Sequence, residues 1–234
     1  MNKQTENEFL EEYDSSAYEK PSIAVDVILF TIENDELKVL LIDRDEMPYA
    51  GEKSLPGVLV RMDETLDQAA MRAINQKTSL KDIYSEQLFT WGDLKRDPRM
   101  RIVSVSYLAL VPYETLIARS TTKNMNNFLY SVDDLIHSDR KLAFDHLKMI
   151  SYGRERIKNK AEYIPIAFEL LPEKFTLPQL QKVYEILLGR DLYKANFRKK
   201  IQDLVEETEE YTSGDAHRPS KLYVRKQIAC SMRK

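Results

Sequence analysis

Residues 22–30 restrict the possible folds of this chain more than any other stretch. The sequence there is Ser-Ile-Ala-Val-Asp-Val-Ile-Leu-Phe, which is β-branched and almost wholly apolar. Such a run is typical of a buried strand. Asn34-Asp35 predicts a turn after it, and residues 37–42 predict an antiparallel return strand. We therefore expect the chain to fold around a buried sheet.

Helical and strand patterns mix over the next 120 residues or so. Leu66, Ala69 and Ile74 recur at helical spacing and share one face. The predicted elements are a helix from Asp63 or Glu64 to about residue 77, strands over residues 87–90 and 102–111, and a helix capped by Asp145 that continues to about residue 160. This mixture predicts an α+β domain of roughly 150 residues.

A second pattern begins after a join near residues 171–174. Thr176 and Gln179 form a capping box, and Gly189 is placed to end the helix that the box begins. The predicted elements are that helix, a second helix from Tyr193 to about Glu206, and short strands over residues 210–212 and 221–225. Helix, turn, helix and hairpin predict a winged helix. The expected organisation is an arm over residues 1–20, the α+β domain over residues 21–165 and the winged helix over residues 166–234.

The charge distribution supports this division. The whole chain carries a net charge of −3, which by itself argues against a polyanionic partner. Residues 1–174 carry −7, however, and residues 175–234 carry +4. No apolar run reaches the roughly 18–20 residues that a membrane span requires, and the first twenty residues lack a signal-peptide core. A single cysteine, Cys230, is typical of a reducing compartment, so we expect a cytoplasmic protein without membrane association.

Residues 55–72 resemble the Nudix box, in which Glu64 and Arg72 occupy their expected positions. The metal-binding glutamates of that pattern are replaced by Ala73, Gln76 and Lys77. These positions lie on one helix face, where carboxylates would bind Mg²⁺. A methyl group, an amide and an ammonium cannot do so. We therefore predict no catalytic residues, no metal and no cofactor. For Arg72 two alternatives are open, a contact with a ligand or pairing with Glu64 or a nearby backbone carbonyl.

Basic residues concentrate in residues 92–101, directly before the strong strand. The Arg-Asp-Pro-Arg sequence within this segment is similar to one branch of Nudix proteins, which implies ligand binding. The alternative is a solvated turn in which Asp97 and the arginines pair with each other. His137 and His146 show no metal spacing and are interpreted as structural. The candidate ligand-binding residues are Arg44, Arg61, Glu64, Lys77, Arg96, Asp97, Arg99 and Arg101.

Cationic and amide side chains surround the apolar face of the second C-terminal helix. Such a helix suits the major groove of DNA, and the loop after it could reach phosphates. The alternative is a solvated cationic face. The candidate DNA-binding residues are Lys194, Asn196, Arg198, Lys199, Lys200, Gln202, His217, Arg218 and Lys221.

Residues 175–181, 183–185 and 196–200 resemble the signature of Nudix-related transcriptional regulators of the NrtR/AraR type. The resemblance implies a Nudix α/β/α sandwich fused to a C-terminal winged helix. It also implies a homodimer that binds palindromic double-stranded operators, and an effector that is an ADP-ribose-like nucleotide or a pentose sugar. The wing departs from the family pattern because Glu206, Glu207, Glu209 and Glu210 make its base acidic and residues 216–219 are Ala-His-Arg-Pro.

Three functions remain open at this point. The first is a ligand-responsive transcriptional regulator. The second is a Nudix hydrolase acting on ADP-ribose or another nucleoside diphosphate, with a metal site rearranged around Asp63 and Glu64. The third is a nucleotide-binding module whose basic end serves a protein partner.

Overall fold

The computed structural model describes residues 5–212 and 219–226. Within these residues the α-helices are α1 Glu6–Glu12, α2 Leu66–Ile74, α3 Tyr113–Ala118, α4 Val132–His137, α5 His146–Tyr163, α6 Leu177–Leu188 and α7 Lys194–Ile201. The strands are β1 Ser22–Glu33, β2 Glu36–Leu40, β3 Ile42–Asp43, β4 Lys53–Ser54, β5 Gly57–Leu59, β6 Tyr84–Trp91, β7 Ile102–Leu110, β8 Leu129–Ser131, β9 Lys174–Phe175, β10 Val205–Tyr211 and β11 Lys221–Arg225.

The apolar strand β1 lies in the middle of the main sheet, as its sequence predicts. The strand order is β6-β7-β1-β2-β8, and β5 pairs with the first half of β1. β1 is parallel to β7 and antiparallel to β2 and β5. Because successive side chains of a strand point to opposite faces, Val27 packs with α2 and α3, whereas Ile28 and Phe30 pack with α5. Helices thus cover both faces, and the predicted sandwich is confirmed.

The C-terminal part is a winged helix in which α6 and α7 pack on a small sheet of order β10-β11-β9. Thr176 caps α6, because its side chain accepts a hydrogen bond from the Gln179 N–H and the Gln179 side chain accepts one from the Thr176 N–H. α6 ends at Gly189, whose φ of +67° is the left-handed conformation that favours glycine.

The predicted join at residues 171–174 is not an open linker. A single apolar cluster contains Ile28 and Phe30 of β1 together with Phe175, Leu180 and Phe197 of the C-terminal part. The structure therefore packs the winged helix directly against the sandwich, mainly through α5 and α6.

Two predicted helices are shorter than their sequence patterns. α7 ends at Ile201 rather than Glu206, because Val205 pairs with Arg225 and begins β10. β10 accordingly starts five residues before the predicted strand. α2 begins at Leu66, because Thr65 and Gln68 form a capping box there, and it ends at Ile74 rather than at residue 77, so Gln76 and Lys77 follow the helix. Long-range strand pairing and a local cap thus override the helical periodicity.

The N-terminal arm forms the short helix α1, which has no buried residue. No helix in the described part of the chain is long and apolar enough to cross a membrane.

Candidate effector cleft and DNA-binding surface

A cleft of about 230 Å³ opens between the start of β1, the β5 segment and the start of α5. Alternation along β1 places Asp26 on the same face as Ile28, so the one acidic residue of the apolar run 22–30 points toward α5. The ionisable and aromatic side chains that line the cleft are Asp26, Arg44, Glu46, Arg96, Asp97, Arg99, Phe144 and His146.

A buried ionic network forms the floor of the cleft. The Arg96 guanidinium donates to both oxygens of Asp145, at 2.8 and 3.3 Å, and to Asp26 at 3.4 Å. Ser104 of β7 donates its hydroxyl hydrogen to Asp26. The Arg96 side chain is only 4% exposed, so two carboxylates share one desolvated guanidinium. Buried charges of this kind are stable only while they are paired.

His146 lies beside this network as a neutral ring. Burial lowers its pKa, although the carboxylates of Asp26 and Asp145 act in the opposite direction. Its Nδ1 accepts the N–H of Leu55 at 3.0 Å, which places the proton of the neutral ring on Nε2. Nε2 lies 3.6 Å from Asp26 Oδ1, which is too far for a hydrogen bond. His146 therefore offers an N–H to the polar floor without forming an ion pair.

Two arginines flank an aromatic ring at the mouth of the cleft. The guanidinium carbons of Arg44 and Arg99 lie 4.9 and 5.8 Å from the centroid of the Phe144 ring. Arg44 also donates to the carbonyl of Pro48, and Arg99 forms a two-bond pair with Asp97. Phe144 has a φ of +54°, an unfavourable conformation for a bulky side chain. The mouth thus combines planar cationic groups, which suit phosphate oxygens, with an aromatic surface.

A separate cationic surface lies on α7. Phe197 and Ile201 are buried against α6, while Lys194, Arg198 and Lys199 are exposed. Gln181 and Glu185 of α6 fix the turn between the helices, because Gln181 donates to the Leu192 carbonyl and Glu185 accepts the Leu192 N–H. α7 is therefore held with its basic side outward.

The comparisons with known proteins match both parts of the chain. Residues 20–152 match the NUDIX domain, and residues 167–224 match the NrtR DNA-binding winged helix domain. The chain is 33% identical over 227 residues to the ADPR responsive transcriptional repressor NtrR of Acinetobacter baylyi, covering 95% of this chain and 89% of that protein. It belongs to the NrtR family.

Structures of a second relative support the same assignment. NrtR of Shewanella oneidensis in complex with a 27mer DNA superposes with a TM-score of 0.77 at 35% identity, covering 87% of this chain and 93% of that one. The NUDIX domain of the same protein, in complex with ADP ribose, gives a TM-score of 0.55 at 37% identity, covering 65% of this chain and 99% of that one. The predicted function, a ligand-responsive DNA-binding regulator, is confirmed at the level of the family.

The sandwich part also resembles an enzyme. The ADP-ribose pyrophosphatase of Methanocaldococcus jannaschii is 36% identical over 133 residues, covering 57% of this chain and 73% of that protein.

The structure of this NrtR-family chain brings together half of the predicted ligand-binding residues. Arg44, Arg96, Asp97 and Arg99 line the cleft. The predicted pairing between Asp97 and an arginine of its loop is also present. The two interpretations of that loop, ligand binding and internal pairing, are therefore compatible. The remaining four predicted residues, which do not line the cleft, are Arg61, Glu64, Lys77 and Arg101.

The side chains of Glu64, Lys77 and Arg101 have structural partners, and the Arg61 backbone N–H donates to Glu64. Arg72 donates to Glu64 and to the Leu59 carbonyl, which confirms the predicted pairing. The hydrogen bond from Arg72, followed by one from the Arg61 N–H, lowers the pKa of Glu64 to about 2. The Lys77 ammonium lies 5.2 Å from the Phe128 ring centroid, and Arg101 donates to the Asp93 carbonyl.

The metal-binding positions of the Nudix box serve the fold here. Ala73 is buried in the core, and the Gln76 amide donates to the Gly57 carbonyl at 3.3 Å. Within residues 5–212 and 219–226, no three His, Cys, Asp or Glu side chains are grouped to hold a metal ion.

Sequence reasoning missed Asp26 and Phe144, and it interpreted His146 as structural. The prediction that Asp145 caps α5 was wrong, because both of its carboxylate oxygens accept hydrogen bonds from Arg96. Asp26 was the one available signal, because an acidic residue inside an otherwise apolar strand needs a buried partner. That partner, Arg96, is 70 residues away in the chain and cannot be identified from local patterns.

The predicted DNA-binding residues differ in exposure and in whether their side chains already have a partner within the chain. Lys194, Asn196, Arg198, Lys199 and Gln202 are exposed on or just after α7. Lys200, although exposed, donates to the Glu162 carbonyl and lies over the Tyr184 ring, and Lys221 pairs with Glu207 at 2.7 Å. His217 and Arg218 lie outside the described residues.

Proposed function

We propose that this chain is an ADP-ribose-responsive transcriptional repressor that acts in the cytoplasm as a homodimer on palindromic operator DNA. The observation that carries the proposal is the presence, in one continuously packed chain, of an arginine-flanked cleft in the Nudix domain and an exposed basic helix in the winged helix. Relatives named for ADP-ribose and for DNA support each half.

The cleft suits a phosphorylated sugar nucleotide. Arg44 and Arg99 offer paired N–H groups to phosphate oxygens at the mouth. At the floor, Asp26 can accept hydrogen bonds from sugar hydroxyls, and the His146 ring can donate one. The Phe144 ring provides an apolar surface for a base or a sugar face.

The α7 surface suits the major groove. Lys194, Arg198 and Lys199 would neutralise phosphates and position the helix, while Asn196 would face base edges. In a dimer the two α7 helices would enter successive major grooves, so the half-sites are expected about one helical turn apart or a multiple of it. The wing contributes less, because Lys221 already pairs with Glu207 and the strand β10 carries four glutamates.

The experiment is a fluorescence-anisotropy titration of the full chain with promoter DNA of its own and neighbouring genes, with and without ADP-ribose. We expect tight, salt-dependent binding that ADP-ribose weakens. Arg198→Ala should weaken binding and reduce the slope of log Kd against log salt by about 1. Arg119→Ala, an exposed arginine of the Nudix domain, is the matched control and should change neither. Binding that is insensitive to salt and to Arg198→Ala would contradict the proposal.

The second candidate, an ADP-ribose pyrophosphatase, is favoured only by the similarity to the archaeal enzyme. It is tested by measuring AMP release from ADP-ribose with Mg²⁺. We expect none, because the residues at the metal-binding positions are Ala73, Gln76 and Lys77. Hydrolysis that Glu64→Gln abolishes would establish this activity instead.

A further inference from the structure

Helix α5 connects the cleft to the winged helix. Its first residue, His146, lines the cleft. Half-way along, Gly153 packs so closely on β1 that a Cβ at this position would lie 3.3 Å from Ile28 and 3.4 Å from Phe30. The next residue, Arg154, donates to the carbonyls of Leu187 and Ile186, at 2.7 and 3.1 Å. These carbonyls belong to the last turn of α6, so α5 holds the helix that positions α7.

The residue before α5 occupies a capping position without capping the helix. Thr65 and Thr176 each accept a backbone N–H at the start of α2 and α6. Asp145 makes no such bond to α5, and its backbone (φ −101°, ψ 20°) is not the extended conformation of a cap. Both of its carboxylate oxygens are hydrogen-bonded to Arg96 instead.

The backbone beside Asp145 is strained. Phe144 has a φ of +54°, a conformation that is unfavourable for a bulky residue and persists only where surrounding contacts impose it. Here the next residue, Asp145, is held by Arg96, and the Phe144 ring itself contacts Tyr49 and two arginines. Loss of the contact between Asp145 and Arg96 would remove one of the restraints on this segment.

We propose that Asp145 is a two-position switch that reports occupancy of the cleft to the DNA-binding helix. The inference rests on the proposed function and names how its site regulates DNA binding. Without effector, Asp145 is held by Arg96 and α5 is uncapped. A phosphate oxygen of the effector, bound between Arg44 and Arg99, also takes the Arg96 guanidinium, and Asp145 swings to cap the first turn of α5. The start of α5 shifts, and Arg154 carries the shift to α6 and α7.

Charge balance explains why the Asp145 carboxylate has two positions, one on Arg96 and one at the start of α5. Asp26 and Asp145 already share the single buried guanidinium of Arg96. A third anion on the same group makes the buried site too negative, and one carboxylate must find another partner. Asp26 retains Ser104, whereas Asp145 directly precedes α5 and is adjacent to the positive end of that helix. The effector thus binds the two states differently, which any ligand-driven shift requires.

The first test is Asp145→Asn. Asparagine caps helices as well as aspartate but pairs weakly with arginine, so the variant should adopt the effector-bound arrangement without effector. We expect its DNA Kd without ADP-ribose to approach that of the wild type with ADP-ribose. For the variant, the ratio of the DNA Kd with ADP-ribose to the DNA Kd without it should be at least about fivefold smaller than for the wild type. Asp139→Asn, the same charge change at an exposed acid upstream, is the control and should respond like the wild type.

The second test is Arg154→Met, which keeps the aliphatic stem and removes the donors to α6. We expect ADP-ribose binding, measured by calorimetry, to stay within about twofold of the wild type, while the DNA response to ADP-ribose falls at least about fivefold. Arg156→Met, an exposed arginine on the same helix, is the control. This arm decides the question if Asp145→Asn does not fold, which a thermal melt will show.

The possible outcomes separate the two claims. The proposed function is contradicted if the wild-type chain does not bind ADP-ribose, or if its DNA Kd is the same with and without ADP-ribose. The switch is overturned if ADP-ribose changes the DNA Kd of the wild type and changes it equally in folded Asp145→Asn and Arg154→Met variants.

Discussion

Replacing Gly57 by alanine should disrupt the cleft floor selectively. A Cβ at this position would lie 2.1 Å from Asp26 Oδ1 and 3.2 Å from the Val25 carbonyl oxygen. Real Cβ atoms do not approach other atoms closer than 3.0 Å, so the carboxylate must move by about 1 Å. It cannot move freely, because Ser104 and Arg96 hold its other oxygen.

The size of the effect follows from that geometry. Forcing an extra methyl group into a packed site costs about 1–3 kcal/mol, and we take about 2 kcal/mol for Gly57→Ala. For a chain of this length, such a loss lowers Tm by about 4–8 °C. The displaced carboxylate also disturbs Arg96, so we expect the Kd for ADP-ribose to rise about tenfold, which is ~1.4 kcal/mol.

The assay combines a thermal melt with calorimetric titration of ADP-ribose. Gly92→Ala is the matched control, because its Cβ would meet only Arg101 Nη2 at 3.9 Å, an ordinary contact. A double variant with Asp26→Ala removes the obstructing carboxylate, so its loss of stability should be smaller than the sum of the two single losses. Equal melting and binding of Gly57→Ala and Gly92→Ala, or strict additivity in the double variant, would refute the reasoning.

Three further predictions concern charge, backbone and pH. Lys199→Ala should weaken DNA binding more than Lys200→Ala in anisotropy titrations, because Lys200 already donates to the Glu162 carbonyl; equal losses would contradict this. Gly189→Ala should destabilise the fold by about 1–2 kcal/mol in urea titrations, because its φ of +67° strains any other residue, and an unchanged midpoint would count against it. Burial lowers the pKa of His146, so the unfolded chain binds its proton more readily and the free energy of unfolding should fall as pH drops below about 6.5. In His146→Gln the urea midpoint should change less between pH 7.5 and pH 5.5 than in the wild type. An equal change in this variant would exclude the His146 ring as the cause.

The identity of most helices and strands could be predicted from the sequence, because local features specify them. The apolar run of β1 becomes the centre of the sheet. The box formed by Thr176 and Gln179 caps α6, and Gly189 ends it in the left-handed conformation. The departures from the Nudix box at Ala73, Gln76 and Lys77 could also be recognised in the sequence. The prediction that the three positions share one helix face was wrong, because α2 ends at Ile74 and Gln76 and Lys77 lie in the turn that follows it.

Tertiary structure decided the ends of elements and the composition of the cleft. Leu204 and Val205 fit a helical period, and only pairing with β11 makes Val205 the start of a strand. Arg96 and Asp145 are 49 residues apart in the chain, and their meeting depends on how the β6–β7 connection and α5 pack across the sheet.

The sequence by itself thus determined two domains, their order and the surface charge of each, because periodicity and capping act within a few residues. Only the tertiary structure showed that Asp26 and Asp145 converge on Arg96 and that His146 lies beside Asp26. A buried charge is stabilised by whichever partner the fold brings to it, however distant in the chain. The same holds for Arg154, whose contact with the last carbonyls of α6 turns two neighbouring domains into one connected structure.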